Sequence, residues 1–149
     1  MTTQKSILIR KAIADDAIQL IELNKKYNGE ENINKDIATV EKMLMSVGNE
    51  SVFVAVCGDS LIGFACVQVY RSFCYRRPAL ELTELYVKKE MRRQKAATLL
   101  IEEILKFAVQ EDVLEISLGV NKYNKPAINL YKSMGLDEAD HLVFRKRYF

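Results

Sequence analysis

Apolar and polar positions along this chain change period in a way that marks out its elements. From Ile7 to Ala12 (ILIRKA) they roughly alternate, the period of a strand. ADDAIQLIELNKKY, residues 14–27, instead sets Leu20, Leu23 and Tyr27 on one face of a helix, with Asp15 or Asp16 as its cap. After the polar break YNGEENINKD, a second helix of roughly Lys35 to Val47 carries Ile37, Val40, Met43, Leu44 and Val47. SVFVAV and LIGFACVQVY read as strands joined through CGDS, where Gly58-Asp59 suits a tight hairpin turn. RSFCYRRP is a loop, and ALELTELYV, residues 79–87, is a fourth strand.

The remainder continues the alternation of strand and helix. A helix from about Gln94 to Gln110 carries Ala97, Leu100, Ile101, Ile104 and Ala108 along one stripe. VLEISLGV, residues 113–120, reads as a fifth strand. NKPAINLYKSMG is a short helix with Asn124 as N-cap, Pro126 in its tolerant first turn and Gly135 as its stop. DEADHLVFRKRYF, residues 137–149, closes the pattern as two short strands. No repeat, low-complexity tract or linker interrupts it. The expected architecture is one α/β domain over residues 1–149, with its core from about residue 7, in the order β-α-α-β-β-β-α-β-α-β-β.

Composition adds limits. The chain has 149 residues, enough for a core without disulfides or metals. It is 49% hydrophobic and 28% charged, with six Gly and two Pro, as in soluble globular proteins. A net charge of +2 is below the excess usual for nucleic-acid binders. No signal-peptide-like h-region opens the sequence and no window approaches a membrane span, so the expectation is a cytoplasmic protein. Cys57, Cys66 and Cys74 form an odd set without CxxC spacing. Cys57 and Cys66 lie in apolar strands and read as buried free thiols. With His141 the only histidine, most zinc sites and Ser-His-Asp designs are removed, and no metal is expected.

The stretch ELYVKKEMRRQKAATLL, residues 84–100, carries the chemistry. A strand ends at Val87, a charged turn follows, and a helix begins beside Arg92 and Arg93. A helix start leaves amide N–H groups unpaired and is partially positive, so it suits an anion. Paired arginines add donors that fit phosphate oxygens in two-pronged geometry. A pyrophosphate answers that arrangement; a solvated charged turn is the plainer alternative.

The segment resembles the acyl-CoA-binding motif of the GNAT superfamily of N-acetyltransferases: LYV, a polar turn, then Arg/Gln-x-x-Gly-x-Gly/Ala, here Arg92-Arg93-Gln94-Lys95-Ala96-Ala97. A second family motif, Asn-x-x-Ala-x-x-Leu-Tyr-x-x-x-Gly, is met by Asn124, Ala127, Leu130, Tyr131 and Gly135, with Leu136 after it. The element order matches from about Ile7 to Phe149. One position departs: Lys95 stands where the family has its first glycine. Its Cβ would obstruct the approach of phosphate to backbone, or its ammonium would pair with the phosphate.

The resemblance implies a mixed, mostly antiparallel sheet flanked by helices, with the fourth and fifth strands splayed around acetyl-CoA as co-substrate. It also implies acetyl transfer to an amine of a small molecule or peptide by direct attack on the thioester. Backbone groups of Leu85, Tyr86 and Val87 would bond the pantetheine arm, and Asn124 and Ala127 of the second motif would meet the cofactor too, Asn124 being otherwise only the helix cap. An ammonium with a pKa of about 10.4 needs a base at neutral pH. The candidates are Glu81, six positions before Val87 where several family members carry a base, and Glu84. Both read equally as solvent-facing strand carboxylates. Strand alternation puts them on opposite faces, but the β-bulge common in the family would change which one points inward. Tyr131 is the candidate acid for the departing thiolate, and otherwise a core tyrosine.

The acceptor walls implied by the family fall on Tyr27, Glu30, Glu31 and Asp36, and on Arg71, Phe73, Tyr75, Arg76 and Arg77. Two other readings stay open. One is a non-catalytic acyl-CoA-binding module, which Lys95 keeps alive. The other is a nucleic-acid-associated protein using RSFCYRR and FRKRYF, which the small net charge disfavours, so neither nucleic acid nor membrane is an expected partner. Strand edges leave a homodimer open.

Overall fold

The computed structural model describes residues 5–148, and these fall into two compact units that divide after Gly119. The first holds a five-stranded sheet in the order β1-β2-β3-β4-β5. Its strands are β1 (Ile7–Lys11), β2 (Glu50–Cys57), β3 (Ser60–Tyr70), β4 (Ala79–Val87) and β5 (Ile116–Leu118). The first four pair antiparallel and β5 runs parallel to β4. The sheet is therefore mixed and mostly antiparallel, as expected.

Helices cover both faces. On one, Leu20 and Leu23 of α1 (Ala17–Asn28) pack with Val54, Leu61 and Phe64, and Leu44 of α2 (Ile37–Met45) joins the margin of that cluster. On the other, Phe107 of α3 (Ala96–Gln110) meets Phe53 edge to face at 5.4 Å. Successive strand residues point to opposite faces, so Phe53 and Val54 feed the two layers in turn.

Local chemistry explains where the helices begin. Asp16 ends a single 3-10 turn, Ala14–Asp16, ahead of α1. Its buried carboxylate accepts from the Ile13 N–H at 2.8 Å and from both terminal nitrogens of Arg10 at 2.7 and 3.0 Å. The Arg10 guanidinium holds that carboxyl below its ordinary pKa. Gly29, at φ +77°, ends α1. Asp36 accepts from the Thr39 N–H at 3.0 Å and so sets the start of α2, which is shorter at both ends than the expected span of 35–47.

Two boundaries in the second half of this unit also differ from expectation. α3 starts at Ala96 rather than Gln94, because Lys95 takes a left-handed conformation, φ +67°. Ala96, Leu100, Ile101, Ile104, Phe107 and Ala108 form its buried stripe, with Ala97 only half-buried. The fifth strand contracts from residues 113–120 to three residues. The Val113 N–H bonds back to Ala108 O at 3.1 Å and the Leu114 N–H bonds to Pro78 O at 2.7 Å, so the chain is still turning there.

The second unit holds α4 (Lys125–Ser133). Asn124 caps it, accepting from the Ala127 N–H at 3.3 Å. Gly135, at φ +88°, closes it with bonds from Gly135 N to Lys132 O (3.1 Å) and Leu136 N to Tyr131 O (3.0 Å). The two closing strands expected over residues 137–149 are not there: residues 137–148 form no strand, and Phe149 lies outside the described residues. Leu142, Val143 and Phe144 are exposed, the last at 90%. Alternation alone does not make a strand when no neighbouring edge takes its hydrogen bonds. No described helix is long and apolar enough to cross a membrane.

Candidate functional site

The site is organised by an irregularity in β4. Cys66 pairs with Glu84, but the next residue, Val67, pairs with Leu82, so Thr83 is an extra residue on β4. Its hydroxyl donates to Cys66 O at 3.1 Å, which anchors the bulge. The insertion shifts the alternation by one. Glu81 lies opposite Gln68 and Glu84 opposite Cys66, two β3 residues of the same face. Both carboxylates therefore share one face of the sheet, the face that α1 and α2 cover. Glu81 is exposed there and Glu84 half-buried. Glu50 of β2 lies opposite Gln68 on the same face and accepts from its amide at 3.2 Å.

Beyond the bulge β4 loses its β5 partner. Pairing with β5 runs from Leu80 to Leu82 and goes no further. On the other side β4 stays paired with β3, and the Lys88 N–H still reaches Ile62 O at 2.8 Å. In an antiparallel pair the backbone groups of successive residues point alternately toward and away from the partner. The N–H and C=O of Leu85 and Val87 therefore face the open side, and those of Tyr86 face β3. Gly63 permits this close pairing, since a Cβ there would lie 2.7 Å from Tyr86 O. A lone glycine inside an apolar strand is the sequence signal for such an approach.

The turn after β4 contains a 3-10 turn, Lys89–Met91, and then two left-handed non-glycine residues, Arg93 and Lys95, both at φ +67°. Such residues cost about 1–2 kcal/mol each in L-amino acids. Lys95 is thus a lysine in glycine's conformation, directly before the first turn of α3. Among the described residues, the exposed side chains of Arg93, Gln94 and Lys95 make no hydrogen bond. Arg92 differs: its Nε–H donates to Val87 O at 3.1 Å, and its guanidinium lies 5.9 Å from the centre of the Tyr86 ring. Tyr86 in turn stacks on Tyr27 of α1 at 5.3 Å.

The expected residues fall into two sets. Leu85, Tyr86, Val87 and the run Arg92–Ala97 lie around the end of β4, with Glu84 just beyond the bulge and Glu81 nearer the start of the strand, all in the first unit. Asn124, Ala127 and Tyr131 belong to the second. There the Tyr131 phenol is half-buried, and burial raises its pKa above the ordinary value. Asn124 and the Ala127 N–H are engaged with each other as a helix cap. Of the acceptor-wall residues, Asp36 is the α2 cap. Arg77 donates to Val113 O at 3.2 Å, while Phe73 and Tyr75 are exposed. The three cysteines are free; Cys57 and Cys66 are half-buried rather than buried. Burial, reinforced by the charges of Glu50 and Glu84, pushes the Cys66 thiol up to about 12, so it is no thiolate at neutral pH.

A bulged strand thus opens on one side and leads into a cation-bearing loop at the start of α3. The chain belongs to the GNAT family of acetyltransferases, whose family model matches residues 17–136. An uncharacterized N-acetyltransferase of Methanocaldococcus jannaschii is 28% identical over 91% of this chain, which spans 63% of that relative's length. Two solved structures share the fold. An aminoglycoside acetyltransferase from an uncultured soil sample, in complex with trehalose, superposes with a TM-score of 0.82 at 22% identity over 96% of both chains. A second aminoglycoside N-acetyltransferase, in complex with CoA, gives 0.82 at 18% identity over 100% of this chain and 99% of its own.

Proposed function

We propose that the protein transfers the acetyl group of acetyl-CoA to an amine of a small molecule or peptide, in the cytoplasm, by direct attack on the thioester. The observation that carries this reading is the open edge of β4, where the backbone groups of Leu85 and Val87 lead into a loop whose free cations sit at the α3 N-terminus. Pyrophosphate suits that end of the site, because Arg93 and Lys95 meet its charge beside unpaired helix amides. The pantetheine arm runs along the open edge in place of a fifth strand, and an N–H of that edge polarises the thioester carbonyl.

The acceptor approaches from the carboxylate face. Glu81 and Glu84 form the base pair of the site: one of them takes the proton of the ammonium, directly or through water, which frees the nitrogen lone pair. That nitrogen bonds to the carbonyl carbon as the C–S bond breaks, and the departing sulfur receives a proton from Tyr131. With an ordinary pKa of about 10, which burial raises further, the Tyr131 phenol is protonated at neutral pH, as an acid must be. An amine acceptor is in keeping with the aminoglycoside acetyltransferases of the same fold. Aminoglycosides are one class among the small-molecule and peptide amines that fit.

Lys95 favours a second reading, a non-catalytic acyl-CoA-binding module, if its side chain crowds the phosphate approach. Binding is tested first. At acetyl-CoA one hundred times its Kd, linkage adds about 2.7 kcal/mol to the stability of the fold. A clear rise in melting temperature and a calorimetric isotherm are expected; no thermal shift at millimolar acetyl-CoA, with no heat of binding, contradicts both readings.

A further inference from the structure

Sequence pattern groups Arg92 with Arg93 as a phosphate-binding pair, but their surroundings differ. Arg93 has no hydrogen-bond partner among the described residues. Arg92 is also exposed, but it is bonded within the protein. Its Nε–H bond to Val87 O (3.1 Å) engages the carbonyl that faces the open side of β4, the position a fifth strand would otherwise satisfy. That bond turns the guanidinium toward the ring of Tyr86, 5.9 Å away, which is backed by Tyr27 at 5.3 Å and by Phe64 at 6.1 Å. A planar guanidinium can donate in its plane and stack through its face at once; an ammonium cannot.

The segment this contact anchors needs an anchor. Arg93 and Lys95 are both left-handed non-glycine residues, and such a backbone persists only where its surroundings hold it. Beyond Arg92, the next backbone bond in the direction of α3 runs from Leu99 N to Lys95 O at 2.9 Å. The strained stretch thus lies between two fixed points, the Arg92 clamp and the first turn of α3.

We infer that Arg92 is a positioning residue, which clamps the strained loop to the open edge of β4 through the Val87 carbonyl and the Tyr86 ring, rather than a phosphate ligand. The anion is left to Arg93, Lys95 and the helix amides. This rests on the acyl-CoA reading for its ligand, but the clamp is a property of the ligand-free protein.

Arg92→Lys, Arg92→Gln and Arg93→Gln separate the two roles. CoA affinity is measured by calorimetry at low and high salt, and amide hydrogen exchange over residues 88–99 is followed without ligand. A clamp predicts that Lys fails as Gln does. Both Arg92 variants should bind CoA more weakly by about 10-fold or more, the size of the lost bond to the Val87 carbonyl, with the salt dependence of the parent. The hydrogen-bonded amides that flank the strained stretch, Lys88 (to Ile62 O) and Leu99 (to Lys95 O), should exchange about 10-fold faster, as expected for lost local stability. Arg93→Gln should lower the salt dependence and leave exchange unchanged. The inference is overturned if Arg92→Lys binds like the parent while Arg92→Gln loses affinity and salt dependence, or if exchange is unaltered in Arg92→Gln. If the parent itself binds no CoA, the acyl-CoA reading fails and the exchange measurement alone decides the clamp.

Discussion

Lys95 concentrates the tension in the site into one residue, because it takes a glycine conformation without being glycine. Lys95→Gly removes a left-handed penalty of about 1–2 kcal/mol and incurs glycine's extra unfolded-state entropy of about 0.5–1 kcal/mol. The ligand-free variant should therefore melt slightly higher, by the equivalent of about 0.5–1 kcal/mol. The lysine is retained, on this account, for its ammonium. The same variant should bind acetyl-CoA more weakly by about 1.5–3 kcal/mol, with less sensitivity to salt. Tighter binding at low salt would instead support the non-catalytic module. Tyr131 is the other residue on which the proposed chemistry turns. Tyr131→Phe keeps the ring and removes the proton, so turnover should fall roughly 10²-fold while acetyl-CoA affinity holds. Its raised pKa gives the pH dependence a sign: the phenol is intact below its ordinary value of about 10, and its contribution to activity and stability is lost only as pH rises through the higher folded value. A variant that turns over like the parent returns Tyr131 to a packing role.

At the scale of elements, periodicity in the sequence locates the first four strands and the helices, because one buried face per element leaves a period of two or 3.6. What it misses are features set by neighbours. Thr83 looks like any strand residue, yet it is the inserted residue of the bulge that only the family resemblance allows for, and it puts Glu81 and Glu84 on one face where alternation alone sets them apart. The short β5 and the unformed closing strands fail for the complementary reason, since a strand exists only where an edge accepts it. Lys95 and Arg93 carry no sign of left-handed backbone in their side chains; the family motif, with a glycine at the position of Lys95, does. The close approach at Gly63 leaves a trace in the sequence, a lone glycine within an apolar run, that strand periodicity alone does not register. The bulge also makes the carboxylates testable as a pair. Glu81→Gln and Glu84→Gln keep shape and remove the base, and the one that serves directly should lose about 10²-fold in turnover at neutral pH. If both variants and the double variant turn over like the parent, the shared face is not the acceptor side.

For the molecule as a whole, the family is shown, and transfer from acetyl-CoA to an amine is what the proposal adds. Charge gives little guidance at this scale, since +2 over 149 residues neither draws in nor repels an anionic partner strongly. The local distribution says more, with carboxylates on the α1/α2 face of the sheet and free cations at the start of α3. On the proposed reading, a thioester donor at one end and a proton acceptor at the other form a site for transfer, whereas a storage or sensing module needs only the first. The decisive measurement is release of CoA thiol from acetyl-CoA across a panel of amines, from lysine and polyamines to aminoglycosides and peptide N-termini, with each product weighed by mass spectrometry. The account predicts amine-dependent thiol release for at least one class, with a product heavier by one acetyl group. Acetyl-CoA bound tightly, but releasing no thiol above its own hydrolysis with any amine, would contradict it.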